Sequence, residues 1–178
     1  MLMRRKVLSW LYQVDQKATT IWERWDAIYE DGSIHKGQMS TASEEQDNPS
    51  MISFNHYAYG AVIDWVYRNV AGIAPTVKNP GYRHITFAPR PGEGFSYASA
   101  SVNTPLGVAS IDWQIVDGGN LTAKVVVPFG SKAVLDFPTT SGSTVRVNGK
   151  AVSNKHEVSH GHYDILVSAP AVASFKVA

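Results

Sequence analysis

The sequence contains no cysteine. That excludes a disulfide framework and a thiolate zinc site, leaves stability to packing, and leaves the redox compartment open. It also has no excess of charge of one sign, since 16 Lys and Arg against 15 Asp and Glu give a formal net charge of +1. Without a basic field to grip a phosphate backbone, nucleic acid is not an expected partner. No run approaches the roughly 20 apolar residues of a membrane-spanning helix, so no membrane partner is expected either. Met1-Leu2-Met3-Arg4-Arg5-Lys6 ahead of Val7-Leu8-Ser9-Trp10-Leu11-Tyr12 has the outline of a signal peptide. Gln13 and Asp15 soon break the apolar stretch and no small-x-small cleavage site closes it, which favours an amphipathic segment.

Cofactor and metal motifs are likewise lacking. Gly92-Glu93-Gly94 is followed by no helical pattern and makes no phosphate loop, and Glu30-Asp31-Gly32 lacks the spaced carboxylates of a calcium loop. His156, His160 and His162 cluster near a predicted turn, yet no carboxylate or cysteine completes a ligand set at convincing spacing. The sequence calls for no metal and no cofactor.

What is present divides the 178 residues near Pro75. Before that point Met51, Phe54, Ala58, Ala61, Val62, Trp65, Val66 and Val70 recur at intervals of three and four. This spacing predicts one helix, capped by Ser50 at its start and ended by Gly72. Residues 9–15 suggest a shorter helix. Residues 30–50, with Glu44-Glu45-Gln46-Asp47, read as a mobile polar connection, either a solvated insertion or a lid over a ligand.

After Pro75 the period becomes two. Val108, Ser110, Asp112 and Gln114 alternate with Ala109, Ile111, Trp113 and Ile115, and Ile85 and Phe87 alternate with polar neighbours. Further strands are expected at 97–103, 121–127, 132–137, 144–147, 163–168 and 172–177. Asn148-Gly149 suits a two-residue hairpin turn, in which both central positions need positive φ. Regular short strands punctuated by Gly, Pro and Asn predict an antiparallel β-sandwich over 76–178 and an α+β class for the whole.

One cluster invites chemistry. In Trp22-Glu23-Arg24-Trp25-Asp26 two indoles bracket a carboxylate, and the predicted helix carries Phe54-Asn55-His56-Tyr57-Ala58-Tyr59. Glu23 can be shielded from bulk water by Trp22 and Trp25, with Arg24 pointing elsewhere or helping to keep it ionised. His56 suits a hydroxyl-rich ligand because one ring nitrogen donates while the other accepts. Packed tryptophans around a salt-bridged Glu23 are the competing reading, and Tyr57 and Tyr59 read as packing residues.

The runs Ser9–Val14, Ala18–Asp26, Met51–Val62 and Trp65–Tyr67 resemble the C-terminal part of bacterial α-L-rhamnosidases. Pro80–Ile85, Pro89–Gly92 and Gly107–Trp113 extend the likeness into the strand-rich half. The resemblance implies the last part of a helical α/α barrel in residues 1–75, followed by the sandwich. It also implies an inverting hydrolysis of rhamnosides in which Glu23 is the general base, while His56, Trp22 and Trp25 bind sugar. Such a mechanism needs a second carboxylic acid roughly 6.5–9.5 Å away as proton donor. In the family that acid lies upstream of the segment matching Ser9, so the chain is expected to be a C-terminal piece with little or no activity alone. Rhamnose-containing glycosides or polysaccharides are the implied ligands, and the missing barrel portion or self-association is the implied partner for an otherwise exposed helix face. A non-catalytic carbohydrate-binding or scaffolding module and a complementing subunit remain as alternatives.

Overall fold

Ser9 starts the first helix, α1 (Trp10–Asp15), because its extended backbone leaves the hydroxyl free to accept the amide of Tyr12. The computed structural model describes residues 4–6, 8–35, 52–92 and 94–171. They fall into two units, residues 1–62 and 63–176.

In the first unit the long predicted helix does not begin where its apolar spacing starts. Residues 52–56 are not helical, His56 has extended backbone, and the chain enters a 3₁₀ turn only at Tyr57–Ala61. The backbone explains this. The amide of Glu23 donates to the Ser53 carbonyl at 2.8 Å and the amide of His56 donates to the Ile21 carbonyl at 2.7 Å. Backbone groups committed to residues 21–23 cannot also close helical turns. Helical geometry then changes type twice more, through α2 (Val62–Trp65) and a π-type turn, Val66–Ala71. Met51 and the proposed cap Ser50 lie outside the described residues, as do Glu44, Glu45 and Asp47 of the acidic loop.

Gly72 ends the helical segment with φ of 84°. A side chain there would collide with the backbone nitrogen of Pro89. The close approach is held by the Ala88 amide on the Gly72 carbonyl at 2.7 Å and the Arg90 amide on the Asn69 carbonyl at 2.9 Å. Trp113, fully buried, donates its indole N–H to the Val70 carbonyl at 2.9 Å and so satisfies a carbonyl near the end of the π-type turn.

The rest of the second unit is a β-sandwich. One sheet holds β1 (Ile73–Pro75), β2 (His84–Phe87), β6 (Lys132–Leu135) and β9 (His156–Val158) in the order β1-β2-β6-β9. The other holds β3 (Tyr97–Thr104), β4 (Gly107–Ile115), β5 (Leu121–Val127), β10 (Gly161–Pro170), β7 (Thr139–Val147) and β8 (Lys150–Val152) in the order β3-β4-β5-β10-β7-β8. Alternation sends Ala109, Ile111, Trp113, Leu121, Ala123, Val125, Ile165 and Val167 inward, where they meet Ile73, Ile85, Phe87, Ala133 and Leu135 from the smaller sheet. Asn148 and Gly149 have φ of 48° and 79° and close the β7–β8 hairpin as their sequence requires. One pair departs from the expected antiparallel pattern: β2 and β6 run parallel, because the chain crosses to the larger sheet for β3–β5 before it returns. The strand expected over 172–177 lies outside the described residues.

Replacing Gly72 by Ala should strain the left-handed backbone and displace Pro89. An expected loss of at least about 2 kcal/mol is readable as a lower urea midpoint at unchanged slope.

Candidate functional site

The first unit folds around the same short pairing that interrupts the helix. Glu23 answers Ser53 twice: its amide donates to the Ser53 carbonyl, and its Oε2 accepts the Ser53 amide at 2.9 Å. Thr20 Oγ1 donates to the Phe54 carbonyl and adds a further tie between the two segments. The carboxylate is therefore held by a main-chain donor, which fixes its rotamer and presents the other oxygen in a defined direction. That oxygen, Oε1, lies 4.0 Å from His56 Nε2. Such a gap is too wide for a direct hydrogen bond. It does match one bridging oxygen, which can sit about 2.8 Å from each partner. Glu23 is 18% exposed at its side chain and His56 43%, so the pair is partly sheltered but reachable. His56 Nδ1 is buried and has no hydrogen-bond partner among the described residues.

The two indoles beside Glu23 differ. Trp22 is 3% exposed, packs edge-on against Phe54 with ring centres 5.6 Å apart, and has its amide held by Gln13 Oε1 at 3.3 Å. Its ring is buried and offers no open face. Trp25 is half-buried and stacks on Tyr59 at 5.2 Å, with Trp10 edge-on to both rings at 6.1 Å. Its indole N–H is buried without a partner among the described residues. Tyr59 therefore packs as expected, whereas Tyr57 does not: it is 89% exposed and parallel to the His56 ring at 6.3 Å. As the first residue of the 3₁₀ turn it lacks the neighbours that a continuous helix would have supplied.

Arg24 is paired with Asp26. Its guanidinium grips Asp26 with two hydrogen bonds, Nε to Oδ1 at 3.0 Å and Nη2 to Oδ2 at 3.2 Å, and Nη2 also lies 3.1 Å from His35 Nε2. The Arg24 hydrogen bond holds the Asp26 carboxyl below the usual carboxylate range, against the opposing effect of burial. His35 sits at the foot of a tight hairpin in which the Tyr29 amide donates to the Ser33 carbonyl and Ile28 bridges Ile34. Sequence reading missed this Arg24–Asp26–His35 group and the Ser53 amide. The first carries a faint signal in the Arg-x-Asp spacing, and a main-chain donor carries none.

The three histidines near the predicted turn do not share one strand. His156 lies in β9, His160 packs against Phe129 at 4.8 Å, and His162 lies in β10. Among the described residues no group of three His, Cys, Asp or Glu side chains is placed to hold a metal ion.

Residues 1–70 match the bacterial alpha-L-rhamnosidase 6 hairpin glycosidase domain, and residues 72–152 match the bacterial alpha-L-rhamnosidase C-terminal domain. The chain belongs to the bacterial α-L-rhamnosidase family. An alpha-L-rhamnosidase of Formosa agariphila is 38% identical over 147 residues, covering 82% of this chain and 14% of the relative. The crystal structure of native α-L-rhamnosidase from Aspergillus terreus is similar with a TM-score of 0.76 and 33% identity, over 96% of this chain and 17% of that one. The Streptomyces avermitilis enzyme, solved in complex with L-rhamnose, is similar with a TM-score of 0.74 and 33% identity, over 94% and 15%. The rhamnosidase-like chain thus spans less than a fifth of each of these relatives.

Asp26 gives this unit a pH signature. A carboxyl depressed on folding stabilises fully above its unfolded value of about 3.9 and ceases to do so as pH falls through the lower folded value. Asp26→Asn should flatten the loss of stability below about pH 4. It should also cost about 1 kcal/mol at neutral pH, measured by urea unfolding across a pH series.

Proposed function

We propose that this chain supplies the general-base wall of an α-L-rhamnosidase site acting on rhamnose-terminated glycosides with inversion. Glu23 Oε1 accepts the proton of the attacking water, and Oε2 remains on the Ser53 amide so that the base cannot rotate away. His56 binds a sugar hydroxyl through Nε2, Trp25 meets the apolar face or a hydroxyl of the sugar, and Trp22 excludes water from behind the carboxylate. The observation that carries this reading is that a partly sheltered Glu23 Oε1 stands 4.0 Å from His56 Nε2, so that a water on the carboxylate and a sugar hydroxyl on the imidazole would be neighbours.

Inverting hydrolysis needs a second carboxylic acid on the opposite side of the sugar, roughly 6.5–9.5 Å from the base. Asp26 is engaged by Arg24 and is not that acid in this proposal. The acid belongs to helices of the barrel that precede the segment matched here. Residues 1–75 then form the end of the barrel and residues 76–178 the sandwich domain. The exposed side chains of Ile63, Trp65 and Tyr67 favour completion by such helices, in the same polypeptide or a partner, or by self-association.

The purified chain should leave an aryl α-L-rhamnoside intact, and turnover abolished by Glu23→Gln would show that the acid is already present. L-rhamnose should perturb tryptophan fluorescence in the chain and fail to do so in His56→Ala. An unchanged response in that variant would remove His56 from the sugar site.

A further inference from the structure

We propose that the outer face of the six-stranded sheet carries a second site, for neutral carbohydrate, lying wholly within the sandwich. Alternation on β4, β5 and β10 turns Asp112, Gln114, Thr122, Lys124 and Asp164 outward, and these five side chains line one shallow depression. The register arranges them in rows across the strands. Asp112 stands opposite Lys124, Lys124 opposite Asp164, and Gln114 opposite Thr122. At the edge strand the rows continue with Ser99 opposite Asp112 and Tyr97 opposite Gln114. Tyr97 is 71% exposed and stands beside Gln114 on the edge strand, outside the lining of the depression.

The chemistry of these rows selects among ligands. Neighbouring strands are about 4.8 Å apart, which puts the Cα atoms of the two aspartates about 10 Å apart with Lys124 on the strand between them. Among the described residues no group of three His, Cys, Asp or Glu side chains is placed to hold a metal ion. An anion is disfavoured because it would meet two carboxylates for one ammonium. Among the described residues no ion pair joins Lys124 to either aspartate, although cross-strand pairs of opposite charge attract. Acceptors and donors therefore alternate along the rows. Vicinal hydroxyls, each both donor and acceptor, match that alternation. The Tyr97 ring adds what a solvated sheet face lacks, a flat apolar surface for the C–H face of a pyranose, one strand from the Gln114 amide.

The test is native affinity electrophoresis of the full chain in gels containing galactomannan, arabinoxylan or hydroxyethyl cellulose, with polygalacturonate as the anionic counterpart. At least one neutral polymer should retard the chain. Tyr97→Ala and Asp112→Ala should each weaken retardation about tenfold or more. Both side chains are exposed, and unchanged thermal unfolding of each variant certifies its fold, with Gln114→Ala as an independent third variant. Glu23→Gln should be retarded like the parent chain, so failure here is distinguishable from failure of the rhamnosidase reading. The proposal is overturned by unaltered mobility in all three neutral gels or by retardation in polygalacturonate alone. It is equally overturned by retardation that survives the sheet-face variants or that vanishes in Glu23→Gln.

Discussion

The contact between the Ser53 amide and the Glu23 carboxylate organises the first unit. Beside it the Ser53 carbonyl is bonded to the Glu23 amide and the His56 amide to Ile21, and the local outcome is a non-helical segment over residues 52–56 in place of a helical turn. Glu23 gains a fixed rotamer, and His56 gains a backbone bond to Ile21 that sets its distance from the carboxylate. A charge-assisted bond to a main-chain N–H is among the stronger neutral-donor contacts available to a side chain. Its loss would free the carboxylate and the loop together.

Electrostatics near that carboxylate follows from a second choice. Arg24 is adjacent in sequence, yet its planar guanidinium matches the Asp26 carboxylate with two parallel bonds, a geometry that a single contact to Glu23 could not equal. The strong positive charge is thus absorbed within its own turn. Glu23 Oε1 stands beside a histidine, a group whose interaction is weaker and more readily exchanged for that of a ligand.

The sandwich was largely legible in the sequence because a two-residue period has direct physical meaning: Ala109, Ile111 and Trp113 are buried while Asp112 and Gln114 are not. Asn148-Gly149 was legible for an equally local reason, its tolerance of positive φ. β1, β8 and β9 escaped notice since three residues cannot display alternation. The long helix was misread because apolar spacing reports side chains, whereas residues 52–56 are decided by backbone bonds to a segment thirty positions earlier. The Trp22–Trp25 motif and His56 drew attention to two segments that backbone bonds bring together. Nothing in residue types could distinguish the walled-in Trp22 from the half-buried Trp25, since that difference depends on Phe54 and Tyr59.

The parallel pairing of β2 with β6 has a kinetic corollary. The centre of the smaller sheet joins two segments separated by the whole β3–β5 meander, so its closure must wait until that intervening chain has found its place. Local hairpins such as β3–β4 and β7–β8 can zip early, while the β2–β6 seam carries a large loop-closure entropy and forms late. Until it does, the apolar faces of β2 and β6 have no layer to lie in, and the half-assembled sandwich is most exposed to association with its own kind.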